Sequence, residues 1–471
     1  MLKSTARAET ELTAGEVPSK LGRSLQNRHI AMIAFGGIIG AGLFVGSSSA
    51  IAAIGPAAVV SYALAGIVVL MVMRMLSEMA VAIPGIQTFP DFARVGLGHW
   101  AGFLSGWLYW YFWVVVVAIE AIAGAVILAM WIPLPVWAWG MILMAVLTGV
   151  NLMSTKSYGE FEFWFSLIKI AAIIAFIGIT GSYALGFTSP NGPTFANLTA
   201  HGGFMPSGLS SVLSGVTSVI FALVGAEIAT VAAAEAAEPE KSVARMTGSV
   251  AIRVLIFYIL SIFLIVSIVP WNEIVPGVSP FATALGRMNI PGAVTMMNVV
   301  VLIAVLSCLN SGLYVTSRVL FQLAAEGDAP QSLVAVNRRK VPVRSILIAS
   351  SFSYGALAAS ILSPQLVFNF LVNASGALML FIYALIAMAQ IRVRKRLEVE
   401  APDRLTIKVW GFPVLSYATV GAIALVLAAM AITPGLMSQF YSSLAVTGLC
   451  LGAFLVFRRG AAQAKASSIK V

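Results

Sequence analysis

The stretch Gly36-Gly37-Ile38-Ile39-Gly40-Ala41-Gly42-Leu43-Phe44 decides the fold of this chain, because it places four glycines within seven positions of an apolar segment. A helix that spans a membrane has to satisfy its own backbone, so clustered glycines at that depth are costly unless the backbone lines a cavity. The spacing of Gly36 and Gly40 also suits a close contact between two helices. With Gly42 and Gly46 added, the run favours a helix that unwinds near mid-membrane.

A second interruption is predicted in the stretch Phe221-Ala222-Leu223-Val224-Gly225-Ala226-Glu227, where a glycine and a carboxylate lie at similar depth. Interrupted helices that open the two halves of a chain are typical of transporters built from inverted repeats, with the binding site at the midplane. A helix that restarts after Gly42 exposes N–H groups, which attract a carboxylate, and carbonyls before each break can accept from an ammonium group. The predicted substrate-binding residues are therefore Ile39, Gly40, Ala41, Gly42, Phe221, Ala222, Val224 and Gly225.

The composition is that of a membrane-embedded chain, since 60% of the 471 residues are hydrophobic and only 10% are charged. We predict an all-α integral membrane fold with twelve transmembrane helices, arranged as a five-plus-five inverted repeat with discontinuous first and sixth helices and two peripheral helices. The predicted spans are residues 30–52, 56–80, 100–130, 135–152, 161–183, 208–234, 250–270, 293–323, 345–362, 366–390, 409–432 and 437–457. A short helix in the membrane interface is also predicted between residues 84 and 99.

This arrangement divides the chain into six segments. They are an N-terminal tail at 1–29, a first repeat of helices 1–5 at 30–183, an external loop at 184–207, a second repeat of helices 6–10 at 208–390, a cytoplasmic loop with helices 11–12 at 391–457, and a C-terminal tail at 458–471. With the N-terminus inside, most of the 28 lysines and arginines fall in cytoplasmic segments, as the positive-inside rule requires. Both termini are thus predicted to be cytoplasmic, and the net charge of +10 reflects topology rather than a nucleic-acid partner.

The sequence offers no pattern typical of an enzyme. Its three histidines and its two cysteines, Cys308 and Cys450, are scattered, so they predict neither a nucleophile–base pair nor a metal cluster. No cofactor and no metal are expected. A channel would show repeated filter loops or charged rings, which are not evident here. A membrane sensor that transports nothing stays open as an alternative.

Short motifs follow one another along nearly the whole chain. They include LQNRHIAMIAFGGIIGAGLFVGS at 25–47, RMLSEMAV at 74–81, GWLYWYFW at 106–113, YGEFEFW at 158–164, GGFMPSG at 202–208, FALVGAEIATVAAAE at 221–235, SCLNSGLY at 307–314 and SRVLFQLAAEGDAP at 317–330. Together they resemble the amino acid transporter family of the amino acid/polyamine/organocation superfamily, and within it the 4-aminobutyrate (GABA) permeases. The resemblance implies the same inverted-repeat fold, import of an amino acid together with protons, and a place in a bacterial inner membrane.

The resemblance also bears on the substrate. Many relatives for larger amino acids have threonine at the position of Ala41, whereas alanine there and the sequence at 74–78 look like the GABA permease branch. Pro90 replaces a usual serine and residues 53–55 replace a more polar pattern, but both departures lie away from the predicted site. The implied function is proton symport of GABA. Import of proline, alanine or an aromatic amino acid on the same fold is the alternative.

Three ionisable residues are predicted inside the membrane, where charge is costly and usually functional. Glu120 could receive a proton, contact the substrate or pair with a polar neighbour. Lys169 resembles the lysine of proton-coupled relatives that occupies the space of the sodium site in sodium-coupled relatives. Its side chain could instead reach the cytoplasmic face. A role in proton coupling is favoured for both. Glu227, at the second break, is predicted to hold the unwound backbone by accepting its N–H groups rather than to bind substrate.

Two further pairs of charges stand near predicted span ends. Arg74 and Glu78 are one helical turn apart and are predicted to form an ion pair. Arg318 and Asp328 are predicted to form a cytoplasmic gate or an anchor. The aromatic residues at 107–113 are interpreted as an interfacial belt or as packing rather than as part of the substrate site.

Overall fold

The computed structural model describes residues 39–84, 86, 88–153, 155–225, 227 and 254–468. Every regular element in that part of the chain is helical, and no strand occurs there. Three predicted features lie outside the described residues: the N-terminal tail at 1–29, Gly36 and Gly37 of the first break, and the junction of the sixth and seventh spans.

The helices are numbered in chain order. They are α1 (Ala41–Phe44), α2 (Gly46–Ile54), α3 (Ala58–Ala82), α4 (Asp91–Leu97), α5 (His99–Ala129), α6 (Val136–Met153), α7 (Thr155–Ala184), α8 (Asn197–Ala200), α9 (Gly208–Leu223), α10 (Ser261–Ile268), α11 (Pro280–Arg287), α12 (Ala293–Ala325), α13 (Val343–Ala358), α14 (Pro364–Glu400), α15 (Val414–Ile432) and α16 (Met437–Ser468). A π-helical segment, Val254–Leu260, leads into α10.

Eight of the described helices are long and apolar enough to cross a membrane, namely α3, α5, α6, α7, α12, α14, α15 and α16. The chain is therefore a multi-pass membrane protein. The first and sixth predicted spans appear as shorter apolar helices, Ala41–Ile54 and Gly208–Leu223. In each of them the backbone leaves the helix next to or near a glycine, at Gly40 before Ala41 and at Gly225 after Leu223. A helix, α4, also forms within the segment for which an interfacial helix is predicted.

Two helices continue beyond their predicted ends. The sequence predicts a loop from residue 391, but α14 runs on to Glu400. Ion pairs one turn apart, Arg394 with Glu398 at 2.8 Å and Arg396 with Glu400 at 3.9 Å, stabilise this extension. Likewise α16 runs to Ser468, through much of the predicted C-terminal tail.

The end of α3 is fastened to the extension of α14, which shows that the predicted pair of Arg74 with Glu78 is wrong. Glu78 is buried and accepts hydrogen bonds from Arg394 at 2.7 Å and from Gln390 at 2.8 Å. Arg74 donates instead to the carbonyl of Lys408 at 2.8 Å. Each charge therefore has a partner more than 300 positions away in the chain, which a spacing of four residues cannot reveal.

The long helix α5 lies at the centre of the bundle, packed against α6, α12 and α14. Lipid is as apolar as the helix surfaces, so close backbone approach contributes strongly to helix association in a membrane. Glycines provide that approach here. A Cβ added to Gly312 of α12 would lie 2.8 Å from Val117 of α5, and one added to Gly376 of α14 would lie 1.9 Å from the Thr217 carbonyl oxygen of α9.

Candidate functional site

The first break places the start of a helix beside a buried carboxylate. The backbone at Gly40 is extended and α1 begins at Ala41, two residues earlier than the predicted restart after Gly42. The first N–H groups of a helix have no carbonyl partner within it. The N–H of Ala41 donates to both carboxylate oxygens of Glu120 on α5, at 3.0 Å each. Because Glu120 is only 1% exposed, the hydrogen bonds satisfy both the free N–H at the start of the helix and the carboxylate inside the protein.

Glycines bring the two broken helices into direct contact. A Cβ added to Gly42 would lie 2.7 Å from Cα of Ala222 in α9. A Cβ added to Gly40 would lie 2.7 Å from a Glu120 carboxylate oxygen and 2.8 Å from Sγ of Cys308. Side chains larger than hydrogen at either position would push these groups apart, so the glycine run serves contact as well as unwinding.

The second break is held open by a carboxylate. Helix α9 ends at Leu223, and Gly225 takes a φ of +109°, a backbone conformation that favours glycine. The N–H of Gly225 donates to Glu227 at 2.9 Å, and the hydroxyl of Tyr109 on α5 donates to the same carboxylate at 3.0 Å. Glu227 therefore contacts both the unwound backbone and the central helix.

A tyrosine that the sequence analysis did not single out also binds this break. The hydroxyl of Tyr258, in the π-helical segment, donates to the carbonyl of Ala222 at 2.9 Å. That carbonyl is one of those predicted to accept from a substrate ammonium group. A carbonyl oxygen has two lone pairs, so it can still accept a second hydrogen bond.

A cavity of about 20 Å³ lies where the two breaks meet. Its described lining residues are Gly40, Gly42, Phe112, Trp113, Val116, Glu120, Phe221, Ala222, Val224 and Cys308. Five of the eight residues predicted to bind substrate are among them, and Ile39, Ala41 and Gly225 adjoin the others in the chain. A cavity needs roughly 10–15 Å³ to hold one water molecule, so the two breaks close tightly around this space. Glu120 supplies the one carboxylate among these lining residues.

Two of the aromatic residues interpreted as a belt or as packing are part of this lining. Phe112 and Trp113 contribute their side chains to the cavity wall, together with Val116. Trp113, Val116 and Glu120 are spaced at intervals of one helical turn and therefore lie on one face of α5. This shared face with Glu120 is the sequence pattern that could have indicated Trp113 and Val116 as lining residues. For Cys308, whose neighbours come from remote parts of the chain, the sequence holds no comparable signal.

Lys169 lies beside the site and is completely buried. Its ammonium donates to the hydroxyl of Ser307 on α12 at 2.8 Å and lies 3.7 Å from a carboxylate oxygen of Glu162. The ammonium thus stays inside the protein and does not reach the membrane surface. Glu162, also completely buried, was not predicted. It stands about two helical turns before Lys169 on α7, and that spacing on one helix face was the available signal.

A charged cluster at one end of the bundle joins α4 and α5 to the end of α12. We call it the Arg94 cluster, and its members are Asp91, Arg94, His99, Glu326 and Asp328. Arg94 donates to Glu326 and, at 2.6 Å, to Asp328. Nε2 of His99 lies 2.7 Å from the other oxygen of Asp328. These contacts close this end of the molecule with polar interactions between three elements.

Asp328 binds within the Arg94 cluster and not to Arg318, so the two residues predicted to form a gate or an anchor lie in different contacts. The Arg318 guanidinium lies over the ring of Tyr314, 3.6 Å from its centroid. After α12 ends, Gly327 adopts a φ of +82° and the chain turns toward α5, where Trp107 donates to the backbone carbonyl of Asp328 at 3.2 Å. The turn therefore decides the partner of Asp328.

Burial raises the pKa of Glu326 to about 8, and the negative charge of Asp91 adds to the rise. The contact with Arg94 acts in the opposite direction because it favours the ionised carboxylate. The loss of hydration is the larger effect, so Glu326 is a carboxyl group that titrates near neutral pH.

Two broken helices that meet at a small buried cavity define a membrane transporter of the kind that binds its substrate within the bundle. The family model described as amino acid permease matches residues 29–465, and the chain belongs to that family. It is accordingly a permease and not an enzyme.

Known relatives cover nearly the whole chain. The gamma-aminobutyric acid permease of Bacillus subtilis (strain 168) is 47% identical over 452 residues, which are 96% of this chain and 96% of the relative. The gamma-aminobutyric acid permease of Escherichia coli (strain K12) is 42% identical, over 92% of this chain and 94% of the relative. The aromatic amino acid transport protein AroP of Corynebacterium glutamicum is 36% identical, over 91% and 93% of the two chains.

A solved structure with a similar fold is that of the Eremococcus coleocola manganese transporter. It has a TM-score of 0.55 and 12% sequence identity, and the match covers 94% of this chain and 97% of the other. This likeness shows the fold alone. In the described part of the present chain, no group of three or more His, Cys, Asp or Glu residues is arranged to hold a metal ion.

Proposed function

We propose that this protein is a secondary active transporter that imports GABA, or a similarly small zwitterionic amino acid, by proton symport. The observation that carries the proposal is the 47% identity to the gamma-aminobutyric acid permease of Bacillus subtilis over 96% of both chains. The 36% identity to AroP favours, less strongly, the alternative of a different amino acid on the same fold.

In the proposed binding mode, the substrate carboxylate competes with Glu120 for the N–H of Ala41. Glu120 now accepts that N–H through both oxygens, so a second carboxylate can bind there only if Glu120 moves or loses its charge. Two carboxylates at one site repel, and the repulsion favours protonation of one of them. Binding of the substrate is thereby linked to uptake of a proton by Glu120.

The ammonium end of the substrate is assigned to the second break. Carbonyls of Phe221, Ala222 and Val224 line or adjoin the cavity where α9 ends, and an interrupted helix leaves such carbonyls without helical partners. Backbone groups of the two breaks thus bind both ends of an amino acid. Lys169 is the second proposed coupling group, and its buried ammonium also repels Na⁺, which argues for protons as the coupling ion.

The finer architecture is part of the same proposal. Twelve helices form a five-plus-five inverted repeat, with repeats at 30–183 and 208–390, and both termini face the cytoplasm of a bacterial cell across its inner membrane. The interruptions in the first and sixth predicted spans support the repeat. The basic segment at 338–344 between α12 and α13 supports a cytoplasmic position for the end of the molecule that carries the Arg94 cluster. Transport proceeds by rocking one helical bundle against the rest.

Uptake of radiolabelled GABA into proteoliposomes tests the function. Sodium is omitted, an inward proton gradient is imposed, and unlabelled amino acids are added as competitors. We expect saturable uptake that collapses with the gradient and is competed best by GABA and short ω-amino acids. Uptake of proline, alanine or an aromatic amino acid in place of GABA would move the substrate assignment. No uptake of any amino acid would contradict the transporter proposal.

A further inference from the structure

Lys169, Ser307 and Glu162 form a chain of two hydrogen bonds inside the membrane, beyond the substrate cavity. The ammonium of Lys169 donates to Oγ of Ser307 at 2.8 Å, and Ser307 donates to Oε1 of Glu162 at 2.6 Å. An ammonium group can only donate and an ionised carboxylate can only accept. The direction of both hydrogen bonds is therefore fixed by chemistry, and the hydroxyl stands between donor and acceptor in the orientation that proton transfer needs.

We propose that Glu162 is the group that receives the coupling proton from Lys169, through the hydroxyl of Ser307, on its way to the cytoplasm. The proposal rests on the proposed function, since it assigns the exit route of the proton that is transported with the amino acid.

A purely structural ion pair is the rival interpretation. Burying two charges costs more free energy than their attraction returns unless the geometry is good and the remaining lone pairs are satisfied. At Glu162 they are not satisfied, because Oε2 is buried and has no hydrogen-bond partner among the residues that the structure describes. The other neighbour, Ser166, reaches only Oε1 and at 3.5 Å. A carboxylate with a buried oxygen that accepts no hydrogen bond is a poor structural anchor. Because its ionised form is not fully stabilised, it is well suited to alternate between the ionised and the protonated form.

The position of Glu162 gives the relay a direction. It stands seven positions before Lys169 on α7, which corresponds to about 10 Å along the helix axis toward the N-terminal end of that helix. That end is the proposed cytoplasmic side. On the other side, the charge of Lys169 acts on Glu120 and on Cys308, both of which line the cavity. Lys169 therefore stands between the substrate cavity and Glu162.

The transfer balances without any further reactant. One N–H bond of the Lys169 ammonium breaks as that proton binds Oγ of Ser307, while the original hydroxyl proton of Ser307 moves to Oε1 of Glu162. The products are a neutral amine, an intact hydroxyl and a neutral carboxylic acid, so the net charge of the three groups is unchanged. Loss of the proton from Glu162 to the cytoplasm then restores the carboxylate, and a new proton from the cavity side recharges Lys169.

Four variants separate the relay from a structural role: Ser307→Ala, Ser307→Thr, Glu162→Gln and Glu162→Asp. Each is reconstituted and measured in two assays, exchange of labelled GABA for internal GABA without a gradient and accumulation driven by an imposed proton gradient. Ser166→Ala is the matched control, since Ser166 is a buried serine on the same carboxylate but lies outside the relay.

We expect Ser307→Ala and Glu162→Gln to lose accumulation by at least about tenfold, because a positioned proton-transfer group contributes a factor of about 10²–10⁴. Exchange should persist in both, since neither residue lines the cavity. Ser307→Thr restores the hydroxyl and should restore accumulation, Glu162→Asp should retain part of it, and Ser166→Ala should behave as the wild type.

The results that overturn the relay are equally distinct. Wild-type accumulation by Ser307→Ala and Glu162→Gln would remove both residues from the proton route. Equal loss of exchange and accumulation in Ser307→Ala, without rescue by threonine, would assign a structural role. If the wild-type protein exchanges GABA but does not accumulate it under a proton gradient, the proposed proton coupling fails first and the relay fails with it.

Discussion

At the scale of single residues, the proposed mechanism has the substrate and the proton both act on Glu120. Its carboxylate fills the position at the Ala41 N–H that a substrate carboxylate would use, and it is buried among apolar side chains. A carboxylate there has to be neutralised by a proton or displaced before another anion can enter.

Replacing Glu120 by glutamine should uncouple transport. The amide of Glu120→Gln still offers an oxygen to the Ala41 N–H but cannot change its protonation state at working pH. We expect proton-driven accumulation of GABA to fall by at least about tenfold, since a positioned proton-transfer group contributes a factor of about 10²–10⁴. Exchange without a gradient should be retained. Glu400→Gln, an exposed carboxylate at the end of α14, is the control. Accumulation at the wild-type level would exclude Glu120 from coupling.

The sequence indicated some residues of the site and concealed others for a physical reason. The residues at 39–42 and 221–225 were recognisable because unwound backbone needs glycine, and the structure places the glycines at the contact of the two breaks. Glu120 and Lys169 were recognisable because a charge within an apolar run is rare. Ser307, which lies 138 positions from Lys169, and Tyr258 are ordinary residues whose importance comes only from their partners in space.

At the scale of the elements, the broken helix α9 depends on its contact with α14. The two backbones touch at Gly376, where a Cβ would overlap the carbonyl oxygen of Thr217 at 1.9 Å. A helix interrupted after Leu223 has lost part of its own hydrogen bonding. It is therefore held in place by its neighbours more than an intact helix would be.

Gly376→Ala should destabilise the protein by about 1–3 kcal/mol, the usual cost of overpacking, because a backbone carbonyl cannot rotate away as a side chain can. The thermal stability of the purified protein in detergent, followed by size-exclusion chromatography after heating, measures the effect. Gly421→Ala on α15 is the control, since nothing lies within 4 Å of a Cβ there. Equal melting temperatures for the two variants would show that α9 and α14 are not rigidly packed.

The lengths of the elements were less predictable than their existence. Apolar runs predicted most of the long helices because a membrane span needs about 20 apolar residues. The continuation of α14 to Glu400 was missed, since its last turns are polar and resemble a loop in composition. Ion pairs one turn apart, together with the contact of Arg394 with Glu78, stabilise that extension as a helix.

At the scale of the whole molecule, the Arg94 cluster ties separate elements together at one end of the bundle. Its five ionisable side chains come from α4, α5 and the segment after α12, so any motion that separates these elements has to break its ion pairs. Protonation or deprotonation of one residue of the Arg94 cluster should therefore change the stability of the helical bundle.

The raised pKa of Glu326 determines whether the stability of the protein rises or falls with pH. The folded state holds the Glu326 proton more tightly than the unfolded chain, where the pKa of a glutamic acid is about 4.3. The contribution of Glu326 to stability is therefore fully present below about pH 4.3 and is lost as the pH rises through about 8.

We expect the melting temperature of the wild-type protein to fall between pH 6 and 9, and that of Glu326→Gln to fall less, because glutamine has no proton to lose. Thermal unfolding in detergent across that range provides the measurement. Glu398→Gln, an exposed carboxylate on α14 that is not a member of the cluster, is the control. Identical pH dependence in the wild type and Glu326→Gln would show that another group governs this range.

A carrier that brings in one substrate per cycle must also change shape while it is empty. An exposed N–H at mid-membrane would resist that step, since a polar group without a partner is costly away from water. In this structure the N–H of Ala41 is bound by Glu120, and in the proposed cycle Glu120 takes it whenever no substrate is present. In the proposed cycle the carboxylate of Glu120 thus takes the place of the substrate carboxylate in the empty carrier. It should therefore ease the return of the empty carrier to the conformation that binds the next substrate molecule.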